Sequence, residues 1–297
     1  MRRFLMRHLI SGEELDRGAL EALLDRAVEL KSARAAGIGH RSLQGRSVAL
    51  VFERPSTRTR VSFEVGVAEL GGTPIVLRGK EMQLSRGESP GDTARVLSRW
   101  VAAIAIRSGS DRVVEELAKN ATVPVINALT PAHHPCQALA DLMTLRERFG
   151  SLQGLRIVYV GDGNNVARSL VILGAMAGAE VVVASPVGYE LNDDRAAAEL
   201  SDPFKAAVGA DCLYADVWVS MGDEETSEQR RRDLRPYQVN RELLAAASDR
   251  AVVLHCLPAH PGEEITAELL YGERSAVWDQ AENRLHAQKA LLELLCA

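Results

Sequence analysis

The 297-residue sequence is 46% hydrophobic, 25% charged and only 4% aromatic. On a prior of roughly 150 residues per domain that is material for about two cores, and the composition is far from a disordered one. Thirty-five basic against 40 acidic residues give a net charge of -5 with no basic tail or long charge run. This argues against nucleic acid as a partner but leaves room for a small anion in a local basic pocket. Cys136, Cys212, Cys256 and Cys296 are scattered and form no CxxC pair, as in a reduced, cytoplasmic protein. No apolar run approaches the ~20 residues of a membrane helix. The opening MRRFLMRHLI is interrupted by Arg7 and His8 and no small-residue cleavage site follows, so it is not read as a signal peptide.

Short apolar runs alternate with helical patterns along the chain. The runs are SVALVF (47–52), TPIVLR (73–78), VAAIAI (101–106), TVPVIN (122–127), LRIVYV (155–160), EVVVAS (180–185), DCLYADVWV (211–219) and AVVLHC (251–256). Each is rich in Val and Ile and bounded by Gly, Pro or charge, as strands buried on both faces are. Helix-length segments such as 61–72 and 166–178 lie between them. The alternation predicts an α/β fold with parallel sheets flanked by helices. Two sheets fit better than one, because the amphipathic helix over 137–150 is followed by Ser151-Leu152-Gln153-Gly154 and a restart of the pattern. The predicted domains are residues 1–150 and 151–280. The segment 281–297, apolar at helical spacing (Leu285, Ala287, Leu291, Leu292, Leu295), is a C-terminal helix expected to pack back on the first domain.

Ligands of open parallel sheets sit beyond the carboxyl ends of the strands. After the first run stands Glu53-Arg54-Pro55-Ser56-Thr57-Arg58-Thr59-Arg60, leading straight into a helix. A helix N-terminus receives anions through its open N–H groups and dipole. Ser56, Thr57 and Thr59 add hydroxyls, and Arg58 and Arg60 add planar forks suited to phosphate. A capped helix with surface arginines would account for one such hydroxyl, not for this density. Arg107 follows the third run, where a solvent-seeking arginine is equally unremarkable. His134 and Gln137 precede the helix over 137–150 and suit an oxyanion and an amide respectively; a helix cap with a buried histidine explains them equally well. A zinc site from His133, His134 and Cys136 lacks ligand spacing on a regular element.

The second half opens with Gly161-Asp162-Gly163-Asn164-Asn165-Val166-Ala167. A dinucleotide fingerprint is opposed by Val166 in place of the third glycine, and by Ser185-Pro186 where an acidic ribose partner is needed. Asn164 and Asn165 suit a polar organic ligand; a helix cap explains one asparagine better than two. Asp216, in Asp216-Val217-Trp218-Val219-Ser220-Met221-Gly222, is a good partner for an ammonium group. His255-Cys256-Leu257-Pro258 ends the last run with a thiol that can equally be a small buried hydrophobe. Arg284 is read near the start of the last helix, where the dipole opposes a cation and another reason for it is needed.

Taken together, Ser56-Thr57-Arg58-Thr59-Arg60, His134-Pro135-Cys136-Gln137 and His255-Cys256-Leu257-Pro258 resemble the aspartate/ornithine carbamoyltransferase family. The Gly161–Asn165 and Asp216–Gly222 motifs point to its ornithine branch, and the match runs in order from about residue 43 to 290. The resemblance implies a carbamoyl phosphate domain followed by an L-ornithine domain. It also implies a homotrimer, or a multiple of trimers, with sites at subunit interfaces, and no metal or organic cofactor. Carried across, Ser56, Thr57, Arg58 and Thr59 would hold phosphate, with Arg107 on carbamoyl phosphate and His134, Gln137 and Arg284 at its carbamoyl end. Gln83 would come from a neighbouring subunit. Asn165, Asp216, Ser220 and Met221 would bind ornithine, and Cys256 with Leu257 would line the reacting end. Arg58, His134, Asp216 and Cys256 would be the catalytic groups. Ala259 stands where relatives often carry arginine, which leaves every one of these groups in place.

The implied activity is carbamoyl transfer to the δ-amine of ornithine, giving citrulline, in arginine metabolism. Aspartate as acceptor would set its carboxylate against Asp216. Putrescine lacks the α-groups that Asn165 and the Ser-Met-Gly positions would bind, and N-acetylornithine needs an acyl pocket the sequence does not reveal. A non-catalytic family member would be expected to lose the phosphate arginines or the reacting-end residues, and both are kept.

Overall fold

The Val- and Ile-rich runs form strands because β-branched side chains fit a pleated surface buried on both faces. A computed structural model describes residues 7–220 and 224–296. The chain divides into two compact units, residues 1–143 with 282–297, and residues 144–281.

The first unit contains α1 (Arg17–Ala35), β1 (Ser47–Phe52), α2 (Arg58–Glu69), β2 (Thr73–Arg78), α3 (Pro90–Leu97), β3 (Ala103–Arg107), α4 (Asp111–Asn120) and β4 (Val125–Leu129), and α5 (Pro135–Phe149) begins in it. Its four parallel strands are ordered β2-β1-β3-β4. Leu9 adds a parallel bridge to Ile126 at the β4 edge. The core is built from Ala49, Val51, Ile104, Ile106, Val114, Leu117 and Val125. The chain leaves β1 towards β2 on one side and returns to β3 on the other, so the carboxyl ends of β1 and β3 flank a switch point. Phe52 pairs with Arg107 there, which sets the loop after β1 beside the end of β3.

The second unit contains β5 (Arg156–Val160), α6 (Asn165–Ala177), β6 (Glu180–Ala184), β7 (Ala198–Leu200), α7 (Pro203–Ala207), β8 (Cys212–Ala215), α8 (Ser227–Leu234), α9 (Arg241–Ala246), β9 (Val252–His255) and α10 (Ala267–Leu270). Helix α11 (Val277–Cys296) begins in it and from Glu282 belongs to the first unit. Five parallel strands are ordered β7-β6-β5-β8-β9, with the switch point between β5 and β8. Val158, Val160, Val182, Leu213, Leu243, Val253 and Ile265 are among its core residues.

The predicted fold class holds: two parallel sheets flanked by helices, with the C-terminal helix packed on the first unit. Ala287, Leu291 and Leu292 of α11 are buried. Polar ties reinforce that packing: Arg26 Nε meets Glu293 Oε2 at 2.6 Å, and Lys289 Nζ meets Glu69 Oε2 at 2.7 Å. Differences from the sequence reading are local. The run 211–219 stops being strand at Ala215, because Asp216 Oδ1 accepts the Val217 N–H at 2.7 Å and turns the chain out of the ladder. Strand β4 starts only after Pro124, which has no N–H to donate. The three-residue β7 escaped notice because Ala-Glu-Leu carries no strand pattern. Among the described residues no helix is long and apolar enough to cross a membrane.

Candidate active site

In the first unit the chain turns out of β1 and enters α2 at Arg58. Thr57 occupies the cap position but its side chain accepts no backbone hydrogen bond, and the first turn holds no acid. The positive end of a 12-residue helix is therefore left open to a ligand. Glu53 ties this loop to the one after β3, accepting from Ser108 Oγ at 2.5 Å and Gly109 N at 3.3 Å. Ser56 is half-buried, Thr57 and Arg58 are exposed, and Thr59 is buried. Arg60 lies 3.3 Å from Glu64, one turn along the same helix, as an ordinary surface pair. Gln83 is exposed on the short turn over 83–86 that follows β2.

Arg284 is buried at the centre of a polar set. Its Nη2 donates to Thr59 Oγ1 at 2.6 Å, its Nη1 donates to Gln137 Oε1 at close range, and Nη1 lies 3.4 Å from His134 Nε2. Gln137 in turn donates from Nε2 to Asp141 Oδ1 at 2.8 Å. Helix α11 starts at Val277, so Arg284 stands in its interior and not in its first turn, and the dipole argument against it lapses. Its reason for being there is this polar set.

Arg107 ends β3 and is 9% exposed. Burial, then the charges of Arg284, Arg58 and Arg54, pull its guanidinium down to about 10, and its Nε is buried with no partner. Burial and the charges of Arg284, Arg107 and Arg58 also hold His134 well below the usual histidine range, so it is a neutral imidazole at pH 7. With Arg284 as the donor, His134 Nε2 is an acceptor and the ring proton belongs on Nδ1. The charges of Arg284, Arg58 and Arg54 thus converge on the Arg107 guanidinium beside an open helix terminus. Like charges gathered in a partly dry place are unfavourable until an anion joins them.

The second unit's switch point holds a buried carboxylate. Asp216 follows β8, and each of its oxygens has two donors. Oδ1 accepts from Val217 N at 2.7 Å and Cys256 Sγ at 2.8 Å. Oδ2 accepts from Asn164 Nδ2 at 2.7 Å and lies 3.0 Å from the Tyr159 hydroxyl. Asn164 caps α6, its Oδ1 accepting from Val166 N and Ala167 N. Burial and the Asp216 charge raise the Tyr159 phenol above its usual range, so it stays a donor. Asn165 is the first residue of α6 and is half-buried; Ser220 is half-buried in the loop beyond β8, and Met221 lies outside the described residues. Cys256 and Leu257 follow β9, which pairs with β8 through Ala215 and His255. The glycine turn serves the chain's own backbone: a Cβ on Gly163 would stand 2.4 Å from Leu191 N.

Comparison with known proteins decides the family. The model described as "Aspartate/ornithine carbamoyltransferase, carbamoyl-P binding domain" matches residues 7–147, and "Aspartate/ornithine carbamoyltransferase, Asp/Orn binding domain" matches 153–295. The chain belongs to the aspartate/ornithine carbamoyltransferase family. Among relatives, the ornithine carbamoyltransferase of Acidothermus cellulolyticus is 56% identical over 306 residues, spanning 98% of this chain and 97% of its own. The anabolic ornithine carbamoyltransferase of Pyrococcus furiosus is 52% identical over 92% of this chain and 91% of its own. Solved structures agree. The Pyrococcus furiosus enzyme superposes with a TM-score of 0.94 at 48% identity, covering 99% of this chain and 98% of its own. The Thermus thermophilus enzyme gives 0.91 at 46%, covering 98% and 99%.

Within this family member the sequence reading brought Thr59, His134, Gln137 and Arg284 to one place in the first unit, and Asp216 and Cys256 to one place in the second. It gave no role to Tyr159, Asp141 or Arg54, and it weighed Asn164 for a polar ligand or a helix cap, where the structure sets its amide on Asp216 as well as on the start of α6. The signal for Tyr159 was available: a phenol inside a strand buried on both faces needs a hydrogen-bond partner.

Proposed function

We propose that this chain transfers the carbamoyl group of carbamoyl phosphate to the δ-amine of L-ornithine, releasing L-citrulline and phosphate. The observation that carries this reading is the buried Arg107, on which the charges of Arg284, Arg58 and Arg54 bear beside the open end of α2, an arrangement that calls for a polyanion. The phosphate takes the first-turn N–H groups of α2 with Ser56, Thr57, Arg58 and Thr59, and Arg107 reaches the same ligand. His134, Gln137 and Arg284 receive the carbamoyl end. His134 acts there as a neutral N–H donor and not as an imidazolium, which is what its cationic neighbours require.

An alkyl ammonium such as the ornithine δ-group must lose a proton before it attacks, and a free one has a pKa near ~10.4. Asp216 is the carboxylate placed to attract it, and the Cys256 thiol already donates to that carboxylate. Asp216 and Cys256 orient the amine and take part in removing its proton. Asn165, Ser220 and Met221 hold the α-groups of the amino acid, and Leu257 lines the reacting end with Cys256. The amine attacks the carbamoyl carbon, and the tetrahedral oxyanion is stabilised by Arg58 and His134. The C–O bond to phosphate then breaks, and phosphate departs with the bonding pair into its cradle. Cys256 forms no covalent intermediate.

The exposed position of Gln83 supports its donation to a neighbouring subunit's site in a homotrimer or a multiple of trimers. The scattered cysteines, with no CxxC pair among them, support a reducing cytoplasm. The anabolic character of the Pyrococcus furiosus relative supports the biosynthetic direction of arginine metabolism. The test is citrulline formation from carbamoyl phosphate with ornithine, run beside aspartate, putrescine and N-acetylornithine. Strong preference for ornithine, abolished by Arg58→Ala, supports the reading. Preference for another acceptor overturns the assignments to Asn165, Asp216 and Ser220, and no turnover with any amine by a folded protein overturns the enzyme.

A further inference from the structure

His255 is the last residue of β9 and is buried. Its backbone N–H donates to Gln280 Oε1 at 2.9 Å, and Gln280 Nε2 donates to the Tyr214 hydroxyl at 3.0 Å, which anchors the end of the strand. Its imidazole Nδ1 accepts the Leu257 N–H at 2.8 Å. A nitrogen that accepts cannot carry the ring proton, so the proton is on Nε2. Nε2 lies 3.0 Å from Glu264 Oε1, and Glu264 is 1% exposed. The same oxygen accepts the His260 N–H at 2.5 Å, so the carboxylate is itself held by the backbone.

Leu257 has a φ of 59°, in the left-handed region where a leucine does not settle by preference. Such a residue stays put when its surroundings over-determine it, and the imidazole bond to its N–H is one such constraint. Between the histidine and the leucine stands Cys256, whose thiol donates to Asp216 Oδ1 at 2.8 Å. The imidazole thus closes a small ring over the backbone of Cys256.

We propose that Glu264 and His255 are positioning residues for the reacting loop: Glu264 fixes the tautomer and orientation of His255, and His255 fixes Leu257, so that Cys256 is presented to Asp216 in one orientation. The inference rests on the transfer reaction proposed above. Neither residue is assigned contact with substrate. The arrangement parallels the orientation of a working imidazole by a buried carboxylate, except that here the oriented group acts on the backbone.

The two ring nitrogens can be tested separately in the full chain, because an asparagine Oδ1 falls near the place of Nδ1 and a glutamine Nε2 near that of Nε2. The variants are His255→Asn, His255→Gln, Glu264→Gln and Glu264→Ala. The readouts are kcat and KM for each substrate, thermal unfolding, and the alkylation rate of Cys256 by N-ethylmaleimide, the other three cysteines being buried. His255→Gln and Glu264→Ala are expected to lose about tenfold or more in kcat, with KM for carbamoyl phosphate within about twofold, because a misplaced reacting group penalises the transition state more than the ground state. They should also change the Cys256 alkylation rate by about threefold or more, while His255→Asn and Glu264→Gln recover most of both properties. Equal losses in His255→Asn and His255→Gln, or an unchanged alkylation rate in His255→Gln and Glu264→Ala, would overturn the proposal. So would losses that follow the folded fraction alone. Absence of turnover by the unaltered protein would sink the reaction, while the alkylation series would still decide the positioning role.

Discussion

Replacing Arg107 by methionine should stabilise the protein while disabling it. A guanidinium drawn down to about 10 from 12.5 sits where its charge is disfavoured, by about 3 kcal/mol at 1.36 kcal/mol per pH unit. Burial is the largest cause, followed by Arg284, Arg58 and Arg54. Allowing for residual solvent screening, about 1–3 kcal/mol is relieved when an apolar side chain of similar length fills the space. For units of this size that corresponds to a rise of about 3–8 °C in the Tm of the ligand-free protein. On the proposed reading carbamoyl phosphate supplies the counter-charge, and losing one desolvated charged contact to it costs about 2–5 kcal/mol, so its affinity should fall by at least about thirtyfold. Differential scanning calorimetry without ligand and initial-rate titration of carbamoyl phosphate at saturating ornithine measure the two effects. A lower ligand-free Tm, or an affinity within about threefold of the unaltered protein, would refute the reasoning.

Further expectations follow from the same geometry. Asp216→Asn puts an NH2 group against two existing donors, whichever way the amide turns, so kcat/KM for ornithine should fall about a hundredfold with a stability loss of about 1–3 kcal/mol in urea unfolding. Tyr159→Phe removes one donor from the same carboxylate and should cost about 1 kcal/mol, read by the same unfolding assay, and raise KM for ornithine only a few-fold. His134 and His286 both titrate below the ordinary histidine value when folded, chiefly through burial. The unfolded chain therefore binds protons that the folded chain refuses as pH falls below about 6.5, and each such group removes up to ~1.4 kcal/mol of stability per pH unit. His134→Gln should flatten the decline of Tm between about pH 6.5 and 5, and an unchanged slope would contradict the assignment. Gly163→Ala drives a methyl to 2.4 Å from backbone nitrogen and should lower stability by more than about 1 kcal/mol in thermal unfolding, an outcome that a flexible neighbour would prevent.

The architecture was legible in the sequence because short apolar runs bounded by polar residues mark the strands: the buried β1 and the more exposed edge strand β2 both begin and end as the pattern indicates. Strand ends were less legible where a side chain turned the backbone, as Asp216 does beyond β8. In the site, the hydroxyls and arginines at the start of α2 announced themselves by density along the chain. Arg284 could be suspected only as an oddity, since its reason for being there is Thr59 and Gln137, more than a hundred positions away. Tyr159 was legible as a phenol in a buried strand although its partner Asp216 was not, and the Glu264–His255–Leu257 chain was concealed by spacing, because a glutamate nine residues beyond a histidine carries no local pattern.

The route of α11 bears on the order in which the protein comes into being. Met143 and Glu282 belong to one compact unit, yet the whole of the other unit is encoded between them. On a ribosome, where chain emerges at ~5–20 residues per second and N-terminal domains ordinarily fold first, the first sheet must wait for the second unit to be made before α11 can cover it. Until then Thr59 and Gln137 lack their guanidinium partner. The proposed anion site is thus the last part of the molecule to be finished, although most of its residues are among the first to be synthesised.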